Sequence, residues 1–177
     1  MGLVTTGRGD EGRQLVEDWV AKHPADASVR FQFASQLLQQ SDNDAAIREN
    51  EALLKLFPNN PVLLNNLAWL YHRTGDARAV PTAEKAYQLA PEAGEVVDTL
   101  AWILHQQGQD DRSLTLLQEA VKKAPDLPEI AYHLAVVLEA KGRSAEARDV
   151  LRAALQTGKS FEGLTEARTL MAALEKK

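Results

Sequence analysis

The sequence predicts an all-α protein, a solenoid of antiparallel helix pairs closed by a C-terminal capping helix. Three observations predict it: one period of about 34 residues, apolar residues at helical spacing within each period, and landmarks that are helix stops or close-packing residues. Ala52, Ala86, Ala120 and Ala154 are each 34 residues apart, and Ala34, Ala68, Ala101 and Ala135 follow at 34, 33 and 34. Gly75, Gly108 and Gly142 recur at 33 and 34, and Pro24, Pro58, Pro91 and Pro125 at 34, 33 and 34. Four independent series with one period describe stacked equal units rather than a chain wrapped round a single centre.

Each landmark has a physical task. Between a Pro and the next Gly lies a stretch such as Leu63, Leu64, Leu67, Leu70 and Tyr71, an amphipathic helix that we label A. Gly ends it by taking the left-handed conformation that reverses the chain. Helix B then runs to the next Pro, which cannot continue it. Alanines mark where helix axes pass closest, because an axial separation of ~8–10 Å leaves room for little more than a methyl.

Taken in order, residues 1–9 are expected to be disordered or introduced by cloning. Residues 10–24 read as helix B of a truncated repeat, which suggests the carboxy-terminal part of a longer repeat protein. Four units follow at 27–59, 61–92, 94–126 and 128–159. In the first, Ser41 stands where Gly is expected; in the second, Pro81 should start helix B late or kink it. Residues 161–177 form the cap, with Leu164, Ala167, Met171 and Leu174 on one face and Glu162, Glu166, Arg168 and Thr169 elsewhere.

Composition narrows the function. Of 177 residues, 45% are hydrophobic and 25% charged, which suits a folded globular chain. There is no Cys, so disulfides, thiolate metal sites and a cysteine nucleophile are excluded. A net charge of −5 is the wrong sign for neutralising phosphates, and no nucleic-acid partner is expected. The most apolar run, Leu134 to Leu138, is far too short to span a membrane, and the amino terminus lacks the pattern of a secretory signal.

A 34-residue helical hairpin with small residue, Gly, Ala and Pro in that order resembles the tetratricopeptide repeat. Leu67-Ala68, Tyr71, Gly75-Asp76, Ala86 and Pro91 carry it, as do Leu100-Ala101, Gly108, Ala120 and Pro125, and Leu134-Ala135, Gly142, Ala147 and Ala154. Phe33-Ala34, Leu37, Ala46, Ala52 and Pro58 form a weaker copy. The family's early tryptophan is replaced by Arg30, Leu64, Val97 and Ala131. The resemblance implies a right-handed superhelix whose A helices line a concave groove for a protein or peptide segment.

Projected onto that groove, relative positions five, nine and twelve of helix A give Phe31, Ser35 and Leu38; Asn65, Trp69 and His72; Asp98, Trp102 and His105; and Tyr132, Val136 and Glu139. Its middle is a ladder, Asn65 over Asp98, Trp69 over Trp102 and His72 over His105, with Asn66 and Thr99 alongside as hydrogen-bond donors to a ligand. Paired indoles suit recognition, because rigid rings supply contact area at low entropic cost. The alternative is that both rings lie flat against the neighbouring A helix and belong to the core.

No catalytic motif, phosphate-cradling loop or cofactor signature is present, so no enzymatic role and no cofactor are expected. His72 and His105 are equivalent positions that lack a third metal ligand, and no metal site is assigned. The carboxylate clamp of cochaperone repeats transfers poorly, since only Asn66 matches and Glu95, Asp98 and Glu129 would repel a carboxylate.

The runs Leu64 to Leu70, Val97 to Leu104 and Ile130 to Ala135, with Phe161 and Glu166-Ala167-Arg168 after them, resemble the last repeats of bacterial lipoproteins of exopolysaccharide and PEP-CTERM gene clusters. That resemblance implies an exported, periplasmic parent that scaffolds polysaccharide export. Polysaccharide bound through the groove tryptophans and a cytoplasmic adaptor or assembly module are the alternatives.

Overall fold

The computed structural model describes residues 8–176. Among these there are ten α-helices and no strand: α1 (Arg8–Lys22), α2 (Ala27–Gln39), α3 (Asn43–Leu56), α4 (Pro61–Arg73), α5 (Ala79–Leu89), α6 (Gly94–Gln106), α7 (Asp110–Lys123), α8 (Pro128–Ala140), α9 (Ser144–Gln156) and α10 (Leu164–Leu174). Each of α2, α4, α6 and α8 packs on the helix that follows it, and each of α3, α5 and α7 packs on the next pair. α10 closes the series on α8 and α9. This is the expected all-α solenoid, with contacts between neighbours and no shared centre. The expectation for residues 1–9 lies outside the described residues as far as residue 7, and Arg8 and Gly9 form the first residues of α1.

Four of the turns inside the pairs share one geometry. The backbone N–H groups of Asp42, Asp76, Gln109 and Arg143 donate to the carbonyls of Leu37, Tyr71, Leu104 and Leu138 at 2.8–3.0 Å. This six-to-one closure requires a left-handed residue just before the donor. Gly75, Gly108 and Gly142 supply it at φ of 71°, 75° and 74°, and Ser41 adopts the same conformation at 59°. The first turn therefore forms without its glycine, against the steric cost of a Cβ. Asp42 offsets part of that cost by accepting from the Ala45 N–H at 3.1 Å as the cap of α3.

Pro81 also acts as its chemistry requires. α5 begins at Ala79, four residues after Gly75, whereas α7 and α9 begin two residues after their glycines. The late start puts Pro81 in the first helical turn, where its missing N–H has no partner to lose.

The core follows the alanine series. Ala68, Ala101, Ala135, Ala86 and Ala120 have no exposed surface, and Leu67, Leu100, Leu117 and Leu151 beside them are equally enclosed. Full burial of each such leucine stabilises by roughly 1.5–3 kcal/mol. Ala52 is a correction. It is only half-buried, and Leu53 takes the enclosed position on α3 together with Ala46 and Asn50. The buried stripe of α3 is turned by one residue relative to that of α5, which buries Ala79, Ala83 and Ala86. A leucine replaces an alanine at this contact, and α2 does not reach α4 as α4 reaches α6 and α6 reaches α8.

Candidate functional site

Three A helices, α4, α6 and α8, lie side by side and build one continuous face. Asn60 sets the start of α4 by accepting from the Val62 and Leu63 N–H groups at 3.0 and 3.2 Å, with Pro61 at the first helical position. One turn further on, α4 presents Asn65, Asn66 and Trp69, and then His72. At the equivalent turns α6 presents Asp98, Thr99, Trp102 and His105, and α8 presents Tyr132.

Both indoles are half-buried. Trp69 lies with its ring centre 5.7 Å from His72, and Trp102 repeats the arrangement at 5.4 Å from His105, each pair tilted by 42°. Trp102 has a further neighbour: it stacks on His133 of α8 at 4.1 Å and 20°. That ring therefore combines the two readings offered by the sequence, lying against the next A helix while keeping part of its surface in solvent. Tyr132 stands between Trp102 and Phe161, at 6.5 and 6.1 Å, and leaves no room for a Cβ at residue 163. Gly163, at a φ of 85°, meets both demands and starts α10.

A pocket of about 200 Å³ opens on this face. Asn65, Asn66 and Trp69 form one wall, and Asp98 and Thr99 the floor, so five of the nine groove residues meet there. His72, Trp102, His105 and Tyr132 stand outside it. The His105 Nδ1 lies 2.7 Å from Asp110 and ties α6 to α7, and burial holds the His72 imidazole below its ordinary pKa. Tyr132 faces a separate groove with Val136 and Leu170, between α8 and α10. The Thr99 hydroxyl donates to the Glu95 carbonyl at 3.0 Å.

Sequence reasoning missed His133 as a site residue, and it saw Glu95 and Glu129 only as groups that repel a carboxylate. The His133 Nδ1 lies 2.9 and 3.0 Å from the Asp98 carboxylate oxygens, with both residues buried at 6% and 8% exposure. An ionised carboxylate only accepts, so the imidazole donates. Glu95, Glu129 and Glu162, with the apolar Leu127 and Ile130, complete the lining. Burial raises the Glu129 carboxyl above its ordinary pKa; His133 opposes that shift, while Asp98 and Glu162 add to it. The positions of these three glutamates, 34 and 33 residues apart, were a readable signal.

The Asn65 Oδ1 is fully buried and accepts no hydrogen bond. Among the described residues no group of three His, Asp or Glu side chains is placed to hold a metal ion. None of the helices described is long and apolar enough to cross a membrane. The site can thus bind through charge, stacking and hydrogen bonds.

The tetratricopeptide repeat family matches residues 51–79 and 99–160. No curated protein is significantly similar in sequence. Several solved structures share the fold. TTC0263, a thermophilic tetratricopeptide repeat protein of Thermus thermophilus, superposes with a TM-score of 0.71 at 20% identity, over 97% of this chain and 92% of its own. A MamA fragment from Desulfovibrio magneticus RS-1 gives 0.72 at 18% identity over 88% and 89%. YrrB, described as a tetratricopeptide repeat protein with an unusual peptide-binding site, gives 0.69 at 15% identity over 95% and 84%.

Proposed function

The chain contains tetratricopeptide repeats and belongs to that family, and on that premise we propose that it is a non-catalytic interaction scaffold holding a segment of a partner protein on the face of α4, α6 and α8. One observation carries the reading: the pocket on that face joins a half-buried indole, Trp69, to an amide oxygen, Asn65 Oδ1, that is buried without a donor. A buried acceptor left open costs about 1–3 kcal/mol, and turning the Asn65 amide toward the pocket would let a bound N–H recover it. The volume supports a segment rather than a free small molecule. Pockets for drug-sized ligands run to ~300–1,000 Å³, and this one accommodates a single side chain with its backbone passing outside. The peptide-binding site named for YrrB supports the same use of the fold.

Selection of random peptides on the full chain, followed by amide chemical-shift mapping, tests this. Bound peptides should perturb α4, α6 and α8 together. Perturbation confined to α1, α3, α5, α7 or α9 would contradict it.

The finer setting, a periplasmic scaffold for exopolysaccharide export, is our proposal from the sequence runs on α4, α6 and α8. Fractionation of cells carrying the tagged native gene product tests it, and recovery in the cytosol alone would overturn it. Direct polysaccharide binding finds less support: His133 covers one face of Trp102, which leaves Trp69 as the indole in the pocket for a sugar ring.

A further inference from the structure

Resting on the reading of this face as a peptide-binding surface, we propose that the pocket between α4, α6 and α8 seats an arginine side chain of the bound segment.

Charge is the first argument. Four carboxylates, those of Glu95, Asp98, Glu129 and Glu162, line one small pocket that contains no Lys or Arg. Elsewhere in the chain, acids beside a neighbouring helix have cationic partners: Glu84 has Arg112, Glu51 and Asp76 share Arg78, and Asp111 has Lys141. Within the pocket Asp98 has His133, while the carboxylates of Glu95, Glu129 and Glu162 have no hydrogen-bond or ion-pair partner among the described residues. Four converging carboxylates that share one imidazole, His133, raise the free energy of the empty site, and an incoming cation lowers that cost.

Geometry and hydrogen bonding are independent of charge and agree with it. The Asn65 Oδ1 has no hydrogen-bond partner in the free protein, and its amide gains one by turning to a donor in the pocket. Trp69 provides an aromatic wall, and cations are attracted to an indole face. Guanidinium meets all three demands at once. It is planar and stacks, it carries five N–H donors in a fixed fork, and it remains charged at every relevant pH. An ammonium group would answer the charge but could not stack while bonding both the amide and a carboxylate. A carboxylate or phosphate group would be repelled.

The peptides selected above supply the test. Each is compared with its citrulline counterpart, which keeps the shape of arginine and removes its charge, on the wild-type chain and on a Glu95→Gln/Glu129→Gln variant whose fold is checked by circular dichroism. The proposal expects an arginine in the peptides mapped to α4, α6 and α8. It also expects affinity about tenfold weaker with citrulline, a similar loss in the variant, and weakening with added salt. Peptides that map to the same helices without a basic residue, or that bind equally with citrulline, overturn the arginine seat and leave the binding face intact. Peptides that bind only elsewhere overturn both. Should the double variant fail to fold, the citrulline comparison on the wild-type chain decides alone.

Discussion

His133 donates from Nδ1 to both carboxylate oxygens of Asp98 at 2.9 and 3.0 Å, joining α8 to α6 across the floor of the pocket. The bond holds the imidazole flat under Trp102. One contact therefore fixes the spacing of two repeats, the pose of an indole and the charge beneath the site.

Removing one partner leaves the other buried and unpaired. His133→Phe, which keeps a ring beneath Trp102, should destabilise by about 2–4 kcal/mol. The double variant Asp98→Leu/His133→Phe should recover part of that loss, with a coupling of about 1–3 kcal/mol in a double-mutant cycle by urea unfolding. Additive effects would mean that the pair does not act as a unit.

Ser41 holds a left-handed conformation that the three equivalent turns assign to glycine. Ser41→Gly should stabilise by about 1 kcal/mol, because relief of the Cβ clash exceeds the added entropy of the unfolded chain. An increase in the urea midpoint at unchanged slope would show it. A decrease would mean that the serine conformation carries no strain.

Ala101 has no exposed surface on α6, the helix that touches both α4 and α8. Ala101→Leu should destabilise by ~1–3 kcal/mol through overpacking. An unchanged melting temperature would contradict close approach at this residue.

The alanine and glycine spacings reveal the pairing of helices because each type answers a local demand, close approach or a positive φ. Pro81 is legible for the same reason. The turned stripe of α3 is not. Ala52 and Leu53 are both apolar, and only packing against α4 decides which of them faces inward. The Asp98–His133 bond escapes a reading that compares equivalent positions, because it joins position five of one unit to position six of the next. Comparing neighbours across units rather than within a series is what finds such a contact.

Glu129 gives a pH test of the empty pocket. Its carboxyl is raised above the ordinary value, first by burial, so the folded protein holds the proton more tightly than the unfolded chain does. The ionised form therefore costs stability at neutral pH, and the cost vanishes as pH falls below the ordinary glutamate value. Glu129→Gln should raise the melting temperature slightly at pH 7, with the gain shrinking towards pH 4. A loss of stability at pH 7 would mean that the carboxylate is a favourable partner in the free protein.

Affinity of a selected peptide for the wild-type chain and for Trp69→Ala, with melting temperatures recorded for both, tests the binding face most directly. A fall of about tenfold or more at a nearly unchanged melting temperature is predicted, because the indole is a half-buried wall of the pocket rather than part of the interior. Unaltered affinity, or unfolding of the variant, would contradict the account.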